Sequence, residues 1–87
     1  MEELRKQIDE IDQTMLELFV KRMNLSKEIV LKKKTLGLKI YDLDREKQIL
    51  TSMTKKIDDE IIAGLYPQFI TNLMDLSKIY QRIIAEE

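Results

Sequence analysis

The chain has 87 residues, 15 basic against 16 acidic side chains, two glycines, one proline, and neither cysteine nor histidine. That length fits one domain over residues 1–87, in the size range where a single core gives only about 3–5 kcal/mol, and the scarce turn residues argue against an all-β fold. Balanced charge offers no general field for nucleic acid or an anionic membrane, and the two absent residue types exclude disulfides, thiolate chemistry, the usual general base and the commonest metal ligand.

Helix-period apolar spacing predicts an all-α chain. From about residue 2 to 35, Leu4, Ile8, Ile11, Met15, Leu18, Leu25 and Ile29 advance by steps of four and three, the signature of one helix face. At about 1.5 Å per residue this helix is roughly 50 Å long. A compact chain of this length is only roughly 24–26 Å across. Leu16, Phe19, Val20 and Met23 widen the sticky face. Such a helix needs a partner along its whole length, and an intertwined homodimer is the simplest way to supply one.

Gly37 suits the C′ position that ends the first helix, after the cationic run Lys32, Lys33 and Lys34. A short connector follows. Asp42 is a good N-cap for a second helix running to about Lys56. Asp58 or Asp59 can cap the third. Pro67, with Gly64 close by, leaves two alternatives there. Either the third helix kinks at 64–67, or its main body begins near Tyr66 with Pro67 in the first turn.

Each stripe is broken by a polar residue in apolar register. Arg22 interrupts the first, Glu46 stands among Leu43, Leu50, Met53 and Ile57, and Ser77 stands among Ile70, Leu73, Tyr80 and Ile84, with Gln81 one turn on. Ionised groups taken out of water cost several kcal/mol unless paired, so matched breaks on three helices point to a shared charged pocket. Arg22 and Lys33 are about three turns apart and lie to one side of the first helix. Asp42, Arg45 and Glu46 share a face of the second, as Ser77 and Gln81 do on the third. Arg5 stands roughly 25 Å along the axis from Arg22, so one site cannot take both from the same chain without great reach, but it could take Arg5 from a second subunit. Singly, each residue has a plainer reading: Asp42 as a cap, Arg45 and Glu46 as solvated surface, Lys33 as a dipole-complementing end charge. Arg22 could place its head in water, Ser77 could bond its own helix, and Gln81 could be exposed. The coincidence of the breaks argues for an anion pocket.

Read in order, LRKQIDEIDQTMLELFVKR, the lysine of KKK, DLDREK and SKIYQ resemble the all-helical, type II chorismate mutases from Leu4 to about Gln81. The resemblance implies three helices per chain, a long first helix and an intertwined helical homodimer with two active sites. It implies a substrate pocket of Arg22, Lys33, Asp42, Arg45, Glu46, Ser77 and Gln81, with Arg5 donated across subunits. It implies the rearrangement of chorismate to prephenate, the branch step toward phenylalanine and tyrosine. That step is pericyclic and needs no proton transfer, so the absence of histidine and cysteine is no handicap. Lys33, Gln81, Arg22 and Glu46 would be the catalytic groups, with Lys33 and Gln81 as donors to the breaking ether oxygen and Glu46 as acceptor from the ring hydroxyl. The arginines would grip carboxylates, and Asp42 or Ser77 would support orientation.

Two other readings compete. One is an isochorismate-pyruvate lyase on the same scaffold, which DLDREK with Asp42 and Glu46 disfavours. The other is a non-catalytic helical interaction module, which gives no reason for the matched polar breaks. No cofactor, metal, nucleic acid or membrane partner is expected. The absence of a signal peptide and of a long apolar run makes the cytoplasm the default location. A regulatory partner enzyme of the same pathway remains open.

Overall fold

The computed structural model describes residues 1–86 as three helices: α1 (Glu2–Leu36), α2 (Leu43–Thr54) and α3 (Glu60–Glu86), with no strand among the described residues. The 35 residues of α1 set the longest dimension of the molecule, 51 Å. Glu2 and Glu3 occupy its first turn and Lys33 and Lys34 its last, each sign at the end of the helix dipole that favours it.

Gly37 ends α1 as expected, in the left-handed conformation at φ 69° and ψ 24°. Its N–H donates to the Lys34 carbonyl at 3.3 Å, and the Leu38 N–H donates to the Lys33 carbonyl at 2.8 Å. This paired closure is a Schellman motif. Lys34 Nζ also donates to the Ala85 carbonyl at 3.1 Å, giving α3 a cation at its C-terminal end, where its own last turn has none.

Asp42 caps α2 by accepting from the Arg45 N–H at 3.0 Å. The helix stops at Thr54, slightly short of the expected Lys56. The N–H groups of Lys56 and Ile57 bond back to the Met53 and Thr54 carbonyls at 3.1 Å each, a tight i→i+3 closure that consumes orphan carbonyls. Of the two candidate caps for α3 it is Asp59 that acts. Its Oδ1 accepts from Ile61 and Ile62 N–H at 2.9 and 3.1 Å. From there α3 continues through Pro67 as one helix, so its body does not wait until Tyr66. The cap anchors the turns before the proline, and the buried face of Ile70, Met74, Ser77 and Gln81 anchors those after it. That offsets the hydrogen bond a helical proline removes.

α3 is the central element and packs against both α1 and α2. The apolar core is small: Val30, Ile70 and Met74. The long stripe of α1 is not buried in it. Leu4 is 61% exposed, Ile8 56%, Ile11 54% and Leu18 58%, because α3 covers only part of so long a helix. The accessible surface is 7280 Å², where a compact monomer of this mass has about 5400 Å². The radius of gyration is 15.8 Å against about 12 Å for a compact chain. One chain alone leaves a broad apolar face without cover.

Nothing lies within 4 Å of a Cβ built on Gly37, so its substitution tests backbone conformation alone. Gly37→Ala is expected to destabilise the fold by about 1–2 kcal/mol, the cost of a left-handed L-residue. Urea denaturation at fixed protein concentration measures it.

Candidate active site

A cavity of about 310 Å³ is lined by residues of all three helices and of the connector between α1 and α2. This is at the small end of the range for ligand pockets. Seven of the eight residues picked out by their positions in the sequence line it: Arg22 and Lys33 from α1, Asp42, Arg45 and Glu46 around the start of α2, and Ser77 and Gln81 from α3. The eighth, Arg5, is exposed on the first turn of α1 and makes no side-chain contact with the seven among the described residues.

The polar breaks meet as pairs between helices. Arg22 Nη1 donates to Ser77 Oγ, and the Ser77 hydroxyl is within 3.1 Å of the Leu73 carbonyl, to which it donates. Gln81 Nε2 donates to the Ser26 carbonyl at 3.0 Å. Ser26, Ser77 and Gln81 are all buried. Serine and glutamine occupy apolar register because each side chain finds its partner across the α1–α3 contact, which buried polar groups require. Burial, the largest influence, pulls the Arg22 pKa below its ordinary value. Tyr66 opposes that shift and the nearby Arg45 charge adds to it. Arginine nevertheless stays charged at neutral pH, so a half-buried cation faces the cavity.

Lys33 Nζ donates to the Ile40 carbonyl at 3.0 Å, which ties the end of α1 to the connector and leaves the ammonium two further donors. The Asp42 carboxylate caps α2 while lining the cavity. Arg45 Nη1 reaches Gln48 Oε1 at 3.1 Å. Glu46 forms an ion pair with Lys78, Nζ to Oε2 at 3.0 Å.

Ser26, Tyr41 and Lys78 were not singled out by periodicity. Ser26 stands one helical turn beyond Arg22 on the same side of α1, a small polar residue on the pocket face that the spacing would have flagged. Lys78 follows Ser77 directly and reads as an exposed neighbour until the approach of α2 is known. A second, apolar groove of about 450 Å³ adjoins the polar cavity, lined by Met15, Leu16, Leu18 and Phe19 of α1 with Phe69 and Leu73 of α3. Arg22 borders both.

The arrangement collects cations and carboxylates around a space for a small molecule. It holds a fixed amide and amine with spare donors, and a carboxylate with a spare acceptor oxygen. Such a set can grip a small dianion and stabilise negative charge as it shifts.

Ser77→Val removes the side-chain acceptor from a half-buried guanidinium and is expected to cost about 1–3 kcal/mol, with Ser77→Thr retaining most of the stability. Chemical denaturation of both variants reads the difference.

A family model described as chorismate mutase type II matches residues 4–86. The chorismate mutase of Methanocaldococcus jannaschii is 35% identical over 83 residues, covering 90% of this chain and 84% of that protein. The bifunctional chorismate mutase/prephenate dehydratase of Aquifex aeolicus is 34% identical over 85 residues, 98% of this chain but 22% of the longer protein. No solved structure matches. With the polar constellation gathered around one cavity and the family model covering nearly its whole length, the chain belongs to the chorismate mutase type II family, a family of enzymes.

Proposed function

We propose that the chain catalyses the Claisen rearrangement of chorismate to prephenate, in phenylalanine and tyrosine biosynthesis, as a homodimer whose sites each take an arginine from the partner. The observation that carries this is the convergence of Arg22, Lys33, Glu46 and Gln81 on one cavity. The substrate is a flexible dicarboxylate that reacts only in a compact, chair-like shape. Arg22 and Arg45 offer guanidinium forks that match carboxylates. The hydrogen bond to Ser77 fixes the direction of Arg22 before substrate arrives, so Ser77 acts through Arg22. Asp42 holds the first turn of α2 and with it the backbone position of Glu46.

In the transition state the ether bond lengthens and negative charge grows on its oxygen. Lys33 retains two donors beyond its bond to Ile40, and the Gln81 amide retains one beyond its bond to Ser26. Both are anchored before the reaction and need no reorganisation when charge develops. A rate gain of about 10⁶ corresponds to roughly 8 kcal/mol, and one such donor supplies about 2.7–4 kcal/mol. Two donors and conformational restriction suffice. Glu46 accepts from the ring hydroxyl.

The shape of α1 supports a second subunit. Its uncovered apolar stripe and a surface excess of about 1900 Å² per chain over a compact monomer correspond to the extensive interface of an obligate homodimer. If two α1 helices pair antiparallel with the two-fold axis near Gln13 and Thr14, the midpoint between Arg5 and Arg22, then Arg5 of the partner subunit lies level with Arg22. The same pairing covers Ile8, Ile11, Met15 and Leu18.

An ultraviolet assay of chorismate loss, with product identification, tests the reaction. Prephenate is the expected product. Pyruvate from isochorismate alone, or no turnover by folded protein, would remove the mutase reading. Lys33→Ala is expected to lower kcat by about 10²–10³, the cost of one preorganised donor, with the oligomer intact by sedimentation. Gln81→Glu can donate only when its carboxyl is protonated, so the kcat profile of that variant is expected to shift toward acid pH. A profile unchanged from the parent would place Gln81 away from the ether oxygen.

A further inference from the structure

Glu46 is not free in its pocket. Lys78 Nζ lies 3.0 Å from Glu46 Oε2 and 3.3 Å from Asp75 Oδ1, and 4.6 Å from the centroid of the Tyr41 ring. Among the described residues these are the only ion pairs and the only cation–π contact. One ammonium therefore joins the connector, α2 and α3 at the rim of the cavity it also lines. Tyr41 immediately precedes the Asp42 cap, so the cation–π contact (a favourable placement within about 6 Å of a ring centroid) also steadies the start of α2.

α2 needs such a tie. It has no buried residue, so packing alone holds it loosely against α3. The side chains of Lys78 and Glu46 are only 17% and 19% exposed, where Asp75 is 54% exposed. Most surface ion pairs contribute little because water screens them and both side chains stay mobile. The Lys78–Glu46 pair is largely shielded, and the ring of Tyr41 restricts where the ammonium can go. The bond to Glu46 is also the main influence raising the Lys78 pKa, so Lys78 remains a cation at neutral pH.

The pair occupies Oε2 of Glu46 and leaves Oε1 without a hydrogen bond among the described residues. A carboxylate rotating freely about its last bond would present either oxygen at any angle. Held by one oxygen, it presents the other in a set direction. We propose that Lys78 is a positioning residue that clamps Glu46 by Oε2 so that Oε1 meets the substrate hydroxyl, an inference that rests on the mutase reading above. Lys78 acts through Glu46.

A double-mutant cycle on the full chain tests this. Lys78→Met is expected to lower kcat/KM by about 10²-fold, the effect of misplacing a substrate-positioning group by about 1 Å. In a Glu46→Gln background the same change is expected to cost less than about threefold, because contacting residues are not additive. Lys78→Arg keeps the charge and is expected to restore most of the parent activity, which neutral packing at this position would not. Thermal unfolding of each variant verifies that the fold is retained. Equal losses from Lys78→Met in both backgrounds would make Lys78 an independent contact to substrate and overturn the proposal. So would an unaffected Lys78→Met enzyme, and in both cases the mutase reading survives. Absence of turnover in the parent protein removes both readings together.

Discussion

Two hydrogen bonds at the contact between α1 and α3 set everything downstream: Arg22 to Ser77 and Gln81 to the Ser26 carbonyl. Apolar packing alone tolerates sliding of one helix along another, since one leucine fills much the same space as the next. Buried polar groups do not tolerate it. Shifting α1 by one turn would take the Arg22 guanidinium from Ser77 and the Gln81 amide from the Ser26 carbonyl, at about 1–3 kcal/mol for each donor left unsatisfied. The register that satisfies them also lines the cavity, so the contact that orders the fold and the contact that shapes the site are the same.

From that register the charges fall into place. Arg22 and Lys33 face the cavity from one helix, the DLDREK turn presents Asp42, Arg45 and Glu46 from another, and Gln81 enters from the third. The constellation has neither histidine nor cysteine, yet it is rich in fixed donors. This suits a unimolecular rearrangement in which binding geometry and electrostatic preorganisation lower the barrier. The proposed mechanism asks each donor for an amount of stabilisation that single donors are known to supply.

Much of this was legible in the sequence. Helix-period spacing located all three helices, Gly37 and Asp42 marked helix ends, and the polar breaks Arg22, Glu46, Ser77 and Gln81 fall on one cavity. The boundary near Pro67 was not legible, because a proline reports a lost hydrogen bond and not whether a cap and a buried face compensate it. Asp59 and the face from Ile70 to Gln81 do so. Lys78 was hidden for a different reason. Its role depends on where α2 lies against α3, and spacing within one helix carries no information about that. The stripe of α1 was readable both as apolar and as too long for one chain to cover, and the exposure of Leu4, Ile8, Ile11 and Leu18 agrees.

That exposed stripe leads to the central claim, that the catalytic unit is two chains sharing residues across a two-fold axis. Subunit complementation tests it most directly. Arg5→Ala and Lys33→Ala proteins, each nearly inactive alone, are unfolded together, refolded as a mixture and assayed for chorismate turnover. A mixed dimer restores one complete site, with Lys33 from one chain and Arg5 from the other, so activity well above either parent is predicted. A mixture no more active than its components, with mixed dimers verified by mass, would contradict the account.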